Sequence, residues 1–218
     1  AVDASVGLVV SHHPCPFQAV KRITTETPVG RMLLRLIGAG IAVYSPHTGF
    51  DSAKDGINSQ ISRGLGLKNI RPLIVPDGDV ASQVVGAEAI GVGRFGEFPA
   101  PLPFDEFVRK VKTFFQVATI QSVSPCTDHQ VRTVAVACGA AGSMIGDAVA
   151  AGADAMVLGE ARLHEAYAAQ QYMLGLVMPG HYASERFAVE RLSEILSEAF
   201  PGVEVFASRA DRDPFRFQ

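Results

Sequence analysis

Short apolar runs rich in β-branched residues alternate with longer amphipathic segments along this chain. In the first half the alternation predicts strands at 6–11 and 41–45, extended segments at 71–76 and 88–98, and helices at 28–40, 52–66 and 103–115. Proline near the start and glycines at the end of 28–40 are typical helix boundaries. The apolar stripe along 103–115 has helical spacing and indicates a helix packed on a core.

The second half of the chain repeats this alternation. It predicts strands at 132–139, 153–160, 176–180 and 203–208, and helices at 143–151, 162–174 and 184–200, the last capped by Ser184. Strands that alternate with helices through short links favour an α/β fold of mainly parallel or mixed sheets covered by helices. Prolines cluster from Pro99 to Pro125, so we place a boundary within 99–125.

The first residues break the pattern. The segment "AVDAS" at 1–5 is typical of a strand end, yet the next strand, "VGLVVS", begins at once. Parallel neighbours need a crossover of about a dozen residues or more. Either the two segments form one bent strand, or residues of the real polypeptide are missing between Ser5 and Val6. We favour the omission.

Composition narrows the function classes. The chain has 218 residues, 48% of them hydrophobic, which is enough for a substantial core. The net charge is −3 without a run of lysine or arginine, so a nucleic-acid partner is not expected. Three widely spaced cysteines do not make a disulfide framework and indicate a reducing compartment. No stretch is long and apolar enough to span a membrane, so we expect a soluble cytoplasmic protein without a membrane partner.

Three predicted strand ends each carry a histidine, and two of them add a carboxylate. These residues are His12 and His13, His47 and Asp51, and His181 and Glu185. Open α/β sheets bind ligands at the carboxyl ends of their strands. Imidazole and carboxylate donors without cysteine suit zinc, iron, manganese or nickel. Two adjacent histidines can reach toward two points of one cleft, which favours two metal ions over one.

Each of these signals is weak when taken alone. His181 and Glu185, four residues apart, fit a ligand pair and a stabilised helix start equally well. The combination at three strand ends is what favours a metal site. Glu160 and His164 remain open, since they can line the same cleft or orient a ligand from behind.

A glycine-rich turn, "CGAAGSM" at 138–144, joins a predicted strand to a helix. Backbone N–H groups in such a turn can hold an anion. Many such turns exist only for tight packing, and this one lacks the lysine of a P-loop. We therefore give the turn a supporting role in binding a phosphate or another anionic group.

Six blocks of this sequence together resemble the NIF-three-like family, many of whose members are called GTP cyclohydrolase type 2-like dinuclear-metal proteins. The blocks are, in chain order, "SHHP", "YSPHTGFDSAKDGIN", "AVACGAAGSMI", "GADAMVLGEARLHEA", "PGHYASER" and "DPF". The resemblance spans nearly the whole chain and implies one unit of two intertwined α/β lobes around a shared metal cleft. Family members typically carry a helix before the "SHHP" strand, which supports the omission after Ser5.

The resemblance also implies a ligand set and an assembly. Two divalent transition-metal ions would be held by His12, His13, Asp51, His181 and Glu185, while His47 lines the site. Many family members form ring-shaped hexamers, so we expect a homohexamer.

Two functions follow from such a site. Two metal ions about 3.5–4 Å apart can activate a water molecule for hydrolysis of a ring C–N bond or a phosphoester. A hydrolase that acts on a nucleotide or related phosphate-bearing small molecule needs proton shuttles, for which His47, His164 and Glu160 are the candidates, and Arg162 would help to hold the phosphate. The alternative is a non-catalytic metal carrier or insertase, or a regulatory protein that binds a partner or nucleic acid. The possible shuttles favour the hydrolase.

Overall fold

The computed structural model describes residues 1–75 and 90–216 and divides the chain into two compact units, Ala1–Phe50 and Asp51–Gln218. The boundary predicted within 99–125 does not coincide with this division, because those residues all lie in the second unit. A lobe boundary in 99–125 stays a prediction. Residues 76, 88 and 89 of the predicted extended segments lie outside the described residues.

The first unit is built on a two-stranded parallel sheet. Strand β1 (Leu8–Val10) pairs with β2 (Ala42–Tyr44), and helix α1 (Pro28–Gly38) connects them. Thr27 caps α1, since its hydroxyl accepts the N–H of Gly30 at 3.0 Å. Because the strands are parallel, the loops that follow β1 and β2 leave from the same end of the sheet, at the carboxyl ends of the strands.

The segment Ala1–Ser5 is a turn rather than a strand end. The N–H of Ala4 donates to the carbonyl of Ala1 at 3.1 Å, and that of Ser5 to Val2 at 3.0 Å. Ser5 has a φ of 52°, in the left-handed region, which a strand cannot contain. Neither a strand end nor a bent strand is present there, and the omission after Ser5 stays a prediction.

The second unit is built on a six-stranded mixed sheet in the order β3-β4-β6-β7-β8-β5. The strands are β3 (Lys68–Arg71), β4 (Arg94–Pro103), β5 (Gln121–Val123), β6 (Gln130–Ala137), β7 (Ala155–Leu158) and β8 (Gly175–Met178). Strands β6, β7 and β8 are parallel, and the pairs β3–β4, β4–β6 and β5–β8 are antiparallel. The expected α/β class with mixed sheets is confirmed.

Helices cover this sheet. They are α3 (Ile57–Gly64), α4 (Phe104–Phe115), α5 (Ile145–Ala150), α6 (Leu163–Gln171) and α7 (His181–Ala199), and the short α2 (Thr48–Ser52) precedes them across the division between the units. The central strands are buried on both faces, with Val134, Met156 and Val177 all 0% exposed. Their nearly continuous apolar sequence is typical of parallel strands under helical cover.

Two further local predictions are wrong. Residues 203–208 form no strand; instead Arg186 holds this segment through a hydrogen bond to the carbonyl of Ser208 at 2.8 Å and an ion pair with Asp211 at 3.0 Å. Ser184 is not the cap of the last helix, because α7 already begins at His181 and Gly180 occupies the N-cap position. In the part of the chain that the structure describes, no helix is long and apolar enough to cross a bilayer.

Candidate metal-binding site

The first unit brings three histidines together. His12 and His13 follow β1, and His47 follows β2. Their ring centroids lie 4.9 Å apart for His12–His13, 5.3 Å for His12–His47 and 5.4 Å for His13–His47. Each ring offers one nitrogen, and these three atoms lie within 4.8 Å of one another. Three imidazoles at this spacing can bind one metal ion.

Local contacts fix this histidine cluster. The hydroxyls of Ser11 and Ser45 lie 2.7 Å apart and join the ends of the two strands. The ring of Phe17 packs at 6.2 Å from that of His13 and 6.1 Å from that of His47. His47 has a φ of 43°, and such left-handed strain in a residue with a Cβ concentrates at functional sites. The structure therefore adds His47 to the possible ligands, beyond its predicted role as a proton shuttle.

The second unit places one imidazole between two carboxylates. His181 is the first residue of α7 and Glu185 lies one turn later, and the Nε2 atom of His181 is 3.1 Å from Oε1 of Glu185. The Nδ1 atom of His181 is 3.1 Å from Oε1 of Glu160, which follows β7. The hydrogen bond to Glu185 raises the pKa of His181 to about 9 against the opposing effect of burial, and Glu160 contributes in the same direction. This arrangement favours a positive charge, whether a proton or a metal ion.

The absence of a side chain at Gly139 leaves room for the carboxylate of Glu185. Glu185 is only 8% exposed, and a Cβ at Gly139 would lie 2.5 Å from its Oε1 atom. Gly139 also has a φ of +67°, and its N–H donates to the hydroxyl of Ser184 at 2.9 Å. Ser184 in turn donates to the carbonyl of His181 at 2.7 Å. The turn that begins at Gly139 therefore forms a cradle for the His181–Glu185 pair.

The same turn meets a second carboxylate further along. A Cβ at Gly142 would overlap the carboxylate of Glu165, which accepts the N–H of Arg162 at 2.6 Å. An anion bound by the backbone of this turn would meet the like charge of Glu165. An open cleft of about 430 Å³ adjoins the turn, and Glu160 and Arg162 line it too. Arg162 is exposed and positively charged, so a phosphate in this cleft would contact it.

Asp51 lies in α2 and binds a thiol. Its Oδ1 atom accepts a hydrogen bond from the Sγ atom of Cys138 at 3.2 Å. Cys138 is the residue directly after β6. Burial, together with the charge of Asp51, raises the pKa of Cys138 well above its usual value. The thiol therefore stays protonated and acts as the hydrogen-bond donor. Asn58 supports both residues, donating to the carbonyl of Asp51 at 3.1 Å and accepting the N–H of Cys138 at 2.7 Å.

Neither Cys138 nor Asn58 was predicted to contact a residue of the site. A signal for each was present, since Cys138 stands at a predicted strand end and Asn58 closes the block "HTGFDSAKDGIN". Of the predicted proton shuttles, Glu160 bonds to His181 and His47 joins the other imidazoles, whereas His164 is exposed on α6. The joint five-residue ligand set stays a prediction.

A protein-family model described as Duf34/NIF3 (NGG1p interacting factor 3) matches residues 1–214. The chain belongs to the Duf34/NIF3 family. It is 33% identical to "Protein NIF3 homolog" of Schizosaccharomyces pombe over 217 residues, which are 96% of this chain and 76% of the yeast protein. It is 28% identical to "GTP cyclohydrolase 1 type 2 homolog" of Clostridium perfringens over 218 residues, with 100% of this chain and 80% of that protein covered.

Solved structures support the fold of this Duf34/NIF3 protein. A Bacillus cereus protein related to NIF3 superposes with a TM-score of 0.85 at 22% identity, covering 100% of this chain and 86% of the other. At this identity the likeness concerns the fold. The resemblance that the six sequence blocks indicate is confirmed, and the histidine and carboxylate groups are of the kind that bind metal ions.

Proposed function

We propose that this Duf34/NIF3 protein is a dinuclear metal-dependent hydrolase that acts on a nucleotide or a related phosphate-bearing small molecule. The proposed ligands of the two divalent ions are His12, His13, Asp51, His181 and Glu185, and His47 is a further imidazole donor. The observation that carries the proposal is the His181–Glu185 contact at 3.1 Å, with Glu160 on the other ring nitrogen.

The donors fit a divalent transition metal. Zinc, manganese, iron and nickel all accept imidazole nitrogen and carboxylate oxygen. A metal-bound histidine usually donates its other N–H to a carboxylate or carbonyl, which fixes the tautomer of the ring. Glu160 takes that place behind His181, at 3.1 Å from Nδ1. The glycine cradle behind Glu185 keeps the carboxylate close to the same ring.

The reaction depends on both the ions and the chain. Two bound divalent ions would supply an activated water and an electrophilic clamp on the substrate oxygen. Glu160 orients the ring of His181. Because His47 is here a metal ligand, we assign proton movement to the exposed His164. Arg162, on the wall of the cleft of about 430 Å³, would bind a phosphate. A cleft of this volume is large enough for a small-molecule ligand.

The name of the Clostridium perfringens relative, "GTP cyclohydrolase 1 type 2 homolog", supports a nucleotide as the substrate class. The test is turnover of a panel of nucleotides and phosphoesters by protein reconstituted with zinc or manganese, followed by chromatography and phosphate release. Asp51→Ala should lose at least one bound ion and the activity. The matched control is Asp55→Ala, an exposed aspartate that pairs with Arg63 at 2.6 Å, and it should retain both.

An inactive wild type that is fully loaded with metal would contradict the hydrolase. Rapid transfer of its metal to a chelator would then support the carrier or insertase. Full metal content in Asp51→Ala would remove Asp51 from the ligand set.

We also propose a homohexameric ring in the cytoplasm. The family resemblance supports the ring, and Cys15, Cys126 and Cys138 are all free thiols, which fits a reducing compartment. Sedimentation equilibrium of the purified protein tests the assembly, and cell fractionation tests the location.

A further inference from the structure

Arg94, the first residue of β4, is a fully buried cation with an unusual set of partners. It is 0% exposed. Its Nε atom donates to the hydroxyl of Ser59 at 2.8 Å, and Nη1 donates to the carbonyls of Gly91 and Gly93, each at 2.7 Å. Nη2 donates to the carbonyls of Ser52 at 3.0 Å and Ala53 at 2.8 Å. All five N–H donors of the guanidinium are used, and no carboxylate is among these five acceptors.

Two of these acceptors follow Asp51 directly in the chain. Helix α2 ends at Ser52, and the last carbonyls of a helix have no partner within it. Arg94 binds the carbonyls of Ser52 and Ala53, while Asn58 binds that of Asp51 at 3.1 Å. Three consecutive carbonyls that begin at Asp51 are thus held by side-chain donors from elsewhere in the same unit.

Burial of this cation is unfavourable. Desolvation is the main cause that lowers the pKa of Arg94, and the charge of Arg63 adds to it. In some proteins a buried charge is retained because its hydrogen bonds fix one conformation that an apolar side chain would not fix. Here the fixed element is the backbone that carries Asp51.

We propose that Arg94 is a positioning residue for Asp51, holding the turn at Ser52 and Ala53 so that the Asp51 carboxylate keeps one orientation toward its metal ion. This rests on the proposed function, in which Asp51 is a ligand. A lysine cannot do the same, because an ammonium has three donors on one atom and the guanidinium spreads five over a plane.

The test is equilibrium titration with Co²⁺, whose visible absorption reports the ligand geometry. Arg94→Lys should bind the Asp51-dependent ion about tenfold more weakly, as is usual when a group that orients a metal ligand is lost, and its absorption bands should shift. The matched control is Arg191→Met on α7, an exposed arginine that pairs with Glu194 at 2.7 Å. It should bind Co²⁺ within about twofold of the wild type.

A double-mutant cycle separates positioning from general stability. In an Asp51→Asn background, Arg94→Lys should cause no further loss of affinity, because the carboxylate that it orients is already absent. Equal losses in both backgrounds would overturn the positioning role. If Asp51→Asn loses the ion but Arg94→Lys binds it normally, only the role of Arg94 is overturned. If Asp51→Asn binds metal like the wild type, the ligand assignment itself fails, and the role of Arg94 falls with it.

Thermal unfolding of the metal-free variants checks that they fold. If Arg94→Lys does not fold, Ser59→Ala takes its place, since it leaves the cation and removes the hydroxyl that accepts from Nε and donates to the carbonyl of Ala53 at 3.4 Å. This variant should show a smaller loss of Co²⁺ affinity, about twofold, that again vanishes without the Asp51 carboxylate. Loss of affinity that persists in the Asp51→Asn background would overturn the proposal.

Discussion

The two sets of imidazole donors differ in what surrounds the rings. His12, His13 and His47 pack against one another, and Phe17 packs against His13 and His47. His181 instead lies between Glu185 and Glu160, at 3.1 Å from each. The carboxylates attract any cation to His181 before a bond to it forms, whereas three clustered rings can bind a metal ion only through neutral nitrogens. The histidine cluster therefore contributes coordination, and the His181 set contributes charge as well.

The scaffolds beneath the two sets differ too. The histidine cluster stands on β1 and β2, strands of three residues each in a two-stranded sheet, and such a sheet alone has little stability. The His181 set follows β7 and β8, whose residues Val157 and Leu176 are at most 1% exposed. Close packing behind His181 and Glu185 should make their positions sensitive to a single added carbon, while the histidine cluster should tolerate changes with modest loss of stability.

The largest effect is expected from Gly139→Ala. The new Cβ would lie 2.5 Å from Oε1 of Glu185, so this carboxylate must move, and metal affinity should fall about ten- to hundredfold. The left-handed φ of +67° adds a loss of about 1–2 kcal/mol in the free energy of unfolding. Isothermal titration with Zn²⁺ and denaturant unfolding measure the two effects.

Gly152→Ala is the matched control for this prediction. Gly152 has a φ of +79°, and nothing lies within 4 Å of a Cβ built there. The control should lose similar stability and keep the wild-type metal affinity. Equal metal affinities for the two alanine variants would show that the cradle around Glu185 does not shape the site.

A smaller effect is expected in the histidine cluster, at His47. Both His47→Ala and His47→Gly remove the imidazole and should weaken metal binding equally. Because His47 has a φ of 43°, the glycine variant should be more stable than the alanine variant by about 0.5–1 kcal/mol, with the relief of strain exceeding the entropy cost of glycine. Denaturant unfolding of the metal-free proteins measures the difference.

Met173, with a φ of 59° at the end of α6, provides the comparison for His47. Met173→Gly and Met173→Ala should differ in stability by a similar amount and leave metal binding unchanged. Metal affinities of the His47 variants equal to that of the wild type would remove His47 from the possible ligands.

The sequence could predict those parts of the site that depend on local order along the chain. His181 and Glu185 are four residues apart after an apolar strand, and that spacing alone places them on one side of a helix turn. The contacts of Arg94 with Ser52 and Ala53 and that of Cys138 with Asp51 could not be predicted, because they join positions 41 to 87 residues apart. Apolar alternation is also insufficient where a segment finds no strand to pair with, as in 203–208.

The smallest effect is expected at Cys138, whose thiol donates to Asp51 at 3.2 Å. Cys138→Ala removes this donor, and the Asp51 carboxylate loses one of the contacts that hold it in orientation. A single hydrogen bond contributes about 0.5–1.5 kcal/mol, so metal affinity should fall by a factor of about 2–10. Cys138→Ser keeps a donor and should lose less, and Cys126→Ser, at an exposed free thiol, should lose nothing. Zn²⁺ titration of the three variants gives the order. Tighter binding by Cys138→Ala would mean that the thiol competes with the metal ion for Asp51. The hydrogen bond from Cys138 would then oppose metal binding instead of orienting the Asp51 carboxylate for it.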